Sequence, residues 1–309
     1  MPDIVVMFFI LGLIAGVVKS DLEVPKAAYD VLSLLLMLTI GLKGGMALFG
    51  ALNWSLLPEL LAITCLGFIV PAILFPVLRK LVKLNLADSA SFAAHYGSVS
   101  AGTFAVALAY AESNQMLVGG QATLYLVLLE LPAIVFGLIL FNKLSKGNEP
   151  SSYLHIVQEA FTNRSVILLI GGVVIGALYG PTQGASVTDL YTSAFKGLLA
   201  LFLLEMGLVA SSALLKISFE KWRVVLFALL MPSLLAILGI QVGQLLGLPD
   251  GSVLILACLA ASASYIAAPA AIRTAIPQAD IGLVMLASLG LTFPFNVIIG
   301  IPLYHSWIS

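Results

Sequence analysis

The sequence predicts an all-α membrane protein: about ten transmembrane helices in two inverted five-helix repeats, with a broken, crossing helix in each repeat. Three observations predict it. First, of 309 residues 61% are hydrophobic and only 9% are charged, where a soluble domain carries about 25% charge; the mean hydropathy is +1.12. A water-facing surface needs more polar side chains than this, and lipid removes the need. Second, Lys and Arg alternate from loop to loop along the chain. Third, polar and glycine-rich interruptions recur in the same order in both halves.

The apolar runs fall at 4–18, 28–50, 56–78, 90–111, 121–142, 164–180, 189–214, 222–247, 252–274 and 280–304, and a span needs roughly 17–25 residues. Asp3, and no basic residue, precedes the first run. It therefore reads as a short retained helix rather than a signal peptide. Basic residues set the orientation. Lys19 and Lys26 lie in the first loop, and Arg79, Lys80 and Lys83 in the third. Lys143, Lys146 and Arg164 flank the fifth, Lys216, Lys221 and Arg223 the seventh, and Arg273 the ninth. Only Lys43 and Lys196 are left for the other side. The odd loops are expected in the cytoplasm and both termini outside, in a multi-pass protein of the plasma (inner) membrane.

The longest loop, with Lys146-Gly147-Asn148-Glu149-Pro150-Ser151-Ser152, is a polar linker. It divides the chain into 1–141, 142–163 and 164–309. Five spans per half force the halves into opposite orientation. The halves also echo each other. Ile40-Gly41-Leu42 in the second span matches Glu205-Met206-Gly207-Leu208 in the seventh, and Pro132, expected to interrupt the fifth span, matches Pro294 in the tenth. The small-residue stretch 97–103 matches 261–269. Paired interruptions in inverted halves point to the binding site of a carrier.

That site is expected where the fourth and ninth spans break. The fourth contains Gly97-Ser98-Val99-Ser100-Ala101-Gly102-Thr103, and the ninth Ser262-Ala263-Ser264-Tyr265 followed by Pro269. Half-helix N-termini meeting there would offer backbone amides to an anion, and hydroxyls and carbonyls would suit a small cation. Small residues with Ser and Thr also line ordinary helix contacts in membranes, so each stretch alone fits packing equally well. Glu130, two residues before Pro132, is placed to help hold a cation; Glu205 is assigned to a neighbouring helix or subunit. Lys43 either snorkels outward or draws anions to the opening. His95 reads as a packed histidine, and Cys65 and Cys258 as small apolar residues. His95, His155 and His305 are too dispersed for a metal site. No nucleotide-binding, nucleophile-elbow or zinc-helix motif is present, and the net charge of −1 gives no nucleic-acid-binding face.

Ile40-Gly41-Leu42-Lys43-Gly44-Gly45-Met46, the Gly97–Thr103 stretch, Glu130-Leu131-Pro132-Ala133 and Ala260-Ala261-Ser262 through Ile276-Pro277 together resemble the sodium-dependent bicarbonate transporters (SbtA-like permeases) over nearly the whole chain. The resemblance implies a gate domain from spans one, two, six and seven. It implies a core domain from spans three to five and eight to ten, which moves like an elevator. Substrate would sit at Gly97, Ser98, Val99, Ser100, Gly102, Thr103, Ser262, Ala263, Ser264 and Tyr265. Sodium, the coupling ion, would sit at Glu130, Ser100, Thr103 and Ser264, with no cofactor. A homotrimer and a PII-like cytoplasmic regulator are further family traits. The chain departs from the cyanobacterial type at Ser100-Ala101-Gly102-Thr103 in place of Ser-Gly-Ser-Thr, at Tyr265 in place of an acid, and at Ala267-Ala268-Pro269-Ala270 in place of Ser-Gly-Pro-Pro. Its central loop is also shorter. The expected function is sodium-coupled symport of bicarbonate or a similar small anion. Alternatives are a proton- or sodium-coupled carrier of another small carboxylate, with Glu130 as relay in the proton-coupled case, and a membrane enzyme or non-transporting sensor.

Overall fold

The computed structural model describes residues 4–50, 54–145, 164–215 and 219–308. The linker residues Lys146–Ser152, and with them His155 and Lys216, lie outside the described residues. Among the described residues there are helices and no strands. In chain order they are α1 (Ile4–Val17), α2 (Lys26–Leu48), α3 (Leu57–Val77, continued as a π-helix over Leu78–Val82), α4 (Leu86–Gly97), α5 (Ala101–Ser113), α6 (Ala122–Leu144), α7 (Arg164–Gln183), α8 (Ala185–Leu214), α9 (Trp222–Leu245), α10 (Asp250–Ala260) and α11 (Ala267–Ala275). A last segment, Ile281–Ile308, opens with α12 (Ile281–Met285) and closes with α13 (Ile301–Ile308).

Seven of these helical segments are long and apolar enough to cross a membrane; α1 and α10 are shorter apolar helices. The outer surface carries their apolar faces. Ile4, Met7, Leu11 and Ile14 of α1, and Leu226, Leu230 and Leu234 of α9, are all about half exposed. Spacings of three or four residues align them in one stripe per helix. Stripes of this kind are unfavourable in water and favourable against acyl chains. Cys65, on α3, is exposed, and Cys258, on α10, is buried.

Two helix pairs cross with their backbones almost touching. A Cβ at Gly41 or Gly45 of α2 would lie 2.4 Å from the Leu169 carbonyl oxygen or 2.2 Å from that of Val173. On the α7 side, Cβ atoms at Gly172 and Gly176 would meet the Leu38 and Leu42 carbonyls at 2.8 and 2.5 Å. Residue numbers rise together on both helices, so α2 and α7 run parallel. Gly12 of α1 and Gly207 of α8 do the same: their Cβ atoms would sit 2.0 Å from the Leu204 carbonyl oxygen and 2.2 Å from that of Phe9. Hence α1 and α8 are parallel too. Close approach over small residues is the means by which helices associate where lipid supplies no hydrophobic drive. Around this four-helix group, α3, α4, α5, α6, α9, α10 and the last segment pack chiefly on one another. At Gly180, φ of +63° and ψ of −172° take the backbone out of the helix near the end of α7; glycine reaches that conformation without strain.

The proline echoes take a different form from the interruptions expected. Pro132 lies inside a continuous α6. A proline removes one amide donor, and the rest of a 23-residue helix embedded among neighbours carries through. Pro294 sits between two π-helical stretches, Leu286–Thr292 and Asn296–Gly300. The chain there changes winding without breaking. Lys43 takes neither expected role. Its ammonium is 2.7 Å from Glu112 of α5 and 4.7 Å from the centre of the Phe195 ring of α8, a better-compensated position than snorkelling for a half-buried cation.

Candidate functional site

Two interruptions build the site. The first separates α4 from α5. Gly97, the last residue of α4, is pressed against Pro71 and Ala133, where a Cβ would fall 2.8 Å from either side chain. The chain then runs extended through Ser98 and Ser100, with ψ of −177° and 117°. Ser100 restarts the helix as its N-cap. Its Oγ accepts the Thr103 amide at 3.0 Å and the Thr103 hydroxyl at 3.0 Å. The second interruption separates α10 from α11 and spans 261–266. The Ser264 hydroxyl accepts the Ala268 amide at 3.2 Å, which satisfies one first-turn donor of α11.

Each interruption is held by the other. The Ser100 amide donates to Ser262 Oγ at 2.9 Å, and the Ser264 amide donates to the His95 carbonyl at the end of α4 at 2.8 Å. Breaking a helix in lipid frees backbone groups that cannot turn to water. Here the freed groups of one break are the partners of the other. The Ser262 hydroxyl donates to Leu259 O at 2.8 Å, and the Ser98 hydroxyl donates to Glu130 O on α6 at 3.0 Å. The last segment joins in: Asn296 donates to Ala261 O at 2.8 Å and accepts from the Tyr304 hydroxyl at 2.8 Å.

A cavity of about 10 Å³ lies where these pieces meet, room for about one water-sized sphere. Val99, Ser100 and Ala101 line it from the first break, and Ser264, Tyr265 and Ile266 from the second. Glu130 and Leu126 of α6, Met37 of α2 and Leu169 of α7 complete the wall. Most of these residues fall near the middle of their segments, which puts the cavity deep between the two ends of the molecule. The first-turn amides of α5, at Ala101 and Gly102, are donors that helix geometry leaves unpaired, and the helix dipole makes this end partly positive. The Glu130 side chain is half-buried, and its carboxylate makes no hydrogen bond among the described residues. The arrangement therefore offers an anion amides and hydroxyls, and a cation a carboxylate and hydroxyl oxygens. No group of three or more His, Cys, Asp or Glu is present among the described residues, and a site for an alkali cation needs none, since oxygen ligands suffice.

Of the residues singled out in the sequence, Val99, Ser100, Ser264, Tyr265 and Glu130 meet at the cavity. Thr103 stands behind Ser100, Ser98 and Ser262 tie the breaks to α6 and to α10, and Ala263 is buried between them. Gly102 lies beneath Tyr265, whose oxygen occupies the place of a Cβ, 2.2 Å from it. The Tyr265 hydroxyl is buried and lies beside Ser100 and the Gly102 amide without reaching hydrogen-bonding geometry with either. An unmade hydrogen bond at such depth costs roughly 1–3 kcal/mol. His95 is fully buried, with Nδ1 2.7 Å from Ser91 O. Met37, Leu126 and Leu169 escaped the sequence because an apolar wall looks like any other apolar residue. Asn296 carried a usable signal: it is an amide inside an apolar span, two residues after Pro294.

The fold is that of a multi-pass helical membrane protein with a small cavity between two broken helices. The chain belongs to the Na⁺-dependent bicarbonate transporter superfamily, whose family model matches residues 4–309, nearly its whole length. This confirms the resemblance seen in the sequence. Membership makes the chain a transporter and not an enzyme, with sodium as coupling ion rather than cofactor. No curated protein matches it.

Proposed function

We propose that the protein is a sodium-coupled symporter of bicarbonate or a similar small oxyanion, working by an elevator motion in the plasma membrane. The observation that carries this reading is the mutual capping of the two breaks, Ser100 N to Ser262 Oγ and Ser264 N to His95 O, around a cavity that also holds Glu130. Amides and hydroxyls of the breaks bind the anion. Glu130, with Ser100 and Ser264, holds sodium beside it, so that each charge lowers the cost of burying the other. Thr103 serves by fixing Ser100.

The packing supports two inverted repeats of five spans, 1–141 and 164–309. In an inverted repeat the first span corresponds to the sixth and the second to the seventh. Symmetry then exchanges a contact of spans one and seven with a contact of spans six and two. Those are the two parallel, glycine-lined pairs, α1 with α8 and α2 with α7. Parallel pairing also agrees with odd loops in the cytoplasm and both termini outside. The four helices form the gate, and the rest form the core. The cavity lies between them, with Met37 and Leu169 contributed by the gate.

The two ends of this gate–core boundary differ. At the end assigned to the outside, Lys43 of the gate binds Glu112 of the core at 2.7 Å, and Lys196 donates to Ser113 at 2.9 Å. At the other end, Val209 and Ala213 of the gate and Leu283 and Leu286 of the core line a surface cleft of about 450 Å³, beside Lys221 and Asp280, while Ala213 also packs against Gly290 of the core. This mechanism needs neither the trimer nor the PII-like regulator. The test is uptake of labelled bicarbonate into proteoliposomes by Ser100→Ala and Ser264→Ala. Both should fold and lose at least about tenfold in uptake, the value of one hydrogen bond to a charged group. Unchanged uptake by both would remove the site from this position.

A further inference from the structure

Tyr265 and Gly102 have a relation that anion binding alone does not require. The phenol oxygen sits 2.2 Å from where a Cβ on residue 102 would be. The next obstacles are Phe202 Cε1 at 3.1 Å and Phe293 Cε2 at 3.2 Å, tight contacts that would need those rings to give slightly. It is thus the Tyr265 hydroxyl, and not its ring, that demands glycine at 102. The ring is held edge-on to Phe293, with centroids 5.6 Å apart and planes at 74°. The hydroxyl itself is buried and unpartnered among the described residues, and Tyr265 lines the cavity. A fixed ring on the cavity wall, with an unpaired donor at its tip buried beside Ser100 and Gly102, is able both to limit and to recognise an occupant.

We propose that Tyr265 is the specificity-determining residue of the site: its hydroxyl donates to an oxygen of the bound anion, and its ring limits the size of the anion that the cavity admits. The inference rests on the anion site proposed above and goes further by assigning selection to one side chain. An anion oxygen supplies the acceptor that the phenol otherwise lacks. Because the cavity is narrow, that oxygen takes up position as the phenol tip shifts off Gly102. Loss of the hydroxyl alone therefore weakens binding and leaves the frame intact, whereas loss of the ring relaxes the size limit.

The test uses full-length protein in proteoliposomes, with labelled bicarbonate, formate, acetate and pyruvate, and melting temperatures in detergent. Tyr265→Phe should raise KM for bicarbonate about fivefold to tenfold, with maximal uptake within about twofold of wild type. Tyr265→Ser should carry acetate and pyruvate at rates that wild type does not reach. Gly102→Ala should lower both the melting temperature and uptake, and Gly102→Ala with Tyr265→Phe should recover part of each, because the colliding atom is gone. The melting temperatures keep the pairing testable even if Gly102→Ala is too unstable to transport. If Tyr265→Phe transports bicarbonate as wild type does, and Tyr265→Ser keeps the wild-type ranking of anions, the filter is refuted while the carrier stands. If wild type carries none of the four anions, the anion site and the filter fall together.

Discussion

Ser100 Oγ receives both the amide and the hydroxyl of Thr103, while the Ser100 amide is taken by Ser262. One side chain thus caps α5 and faces the cavity, and the backbone of the same residue joins the two breaks. In Ser100→Ala the lost cap and the unpaired Thr103 groups cost about 1–3 kcal/mol, too little to unfold a helix that the last segment and α10 enclose. A modest drop in melting temperature should therefore accompany a much larger loss of uptake. Glu130 makes the complementary case. Glu130→Gln keeps the shape and removes the charge, so the sodium concentration for half-maximal uptake should rise about tenfold or more, measured by varying external sodium at fixed bicarbonate. A sodium dependence identical to wild type would place the cation elsewhere. The breaks were legible in the sequence because serine, threonine and glycine cluster at matching places in both halves, beside the helix-weakening Gly102 and Pro269. The partner of Lys43 was not legible. Glu112 lies 69 positions away on another helix, and no spacing rule connects them.

At the scale of the element, the crossing of α2 and α7 is fixed by glycine. A Cβ at Gly45 would collide with the Val173 carbonyl and with the Ala177 amide at 2.8 Å, both backbone atoms that cannot rotate aside. Gly45→Val should destabilise by about 1–3 kcal/mol or more, seen as a lower melting temperature in detergent. Gly171→Ala, on the face of α7 turned away from the crossing, is the control. Its Cβ would have open space, and its melting temperature should equal or exceed that of wild type. If both glycines tolerated the change equally, the close crossing would be wrong. Hydropathy read the helices to within a few residues, because burial in lipid needs an apolar run whatever the tertiary structure. It overread the prolines. Pro132 stays inside α6 and the segment around Pro294 is wound through π turns. The single missing amide of a proline is local, and the neighbours of the helix decide whether it breaks.

For the whole molecule, the proposed gate and core must part on the outer side once in each cycle. The Lys43–Glu112 pair crosses that boundary. Lys43→Cys with Glu112→Cys, in a chain whose Cys65 is replaced by alanine, should lose uptake when joined by a short thiol crosslinker and regain it when a cleavable crosslinker is cut. Uptake unaffected by the crosslink would rule out relative motion at this contact. The alternation of basic loops makes a further claim about the same axis. A cysteine at Asn114 should react with an impermeant thiol reagent from outside, and one at Lys80 only after the membrane is permeabilised. The reverse pattern would invert the topology.

The decisive measurement is accumulation of labelled bicarbonate by purified protein in liposomes, with an inward sodium gradient, with equal sodium on both sides, and with a proton gradient but no sodium. Accumulation against a concentration gradient only in the first condition is the result expected if Glu130 and the two breaks hold sodium and anion together. Accumulation driven by protons without sodium would contradict it.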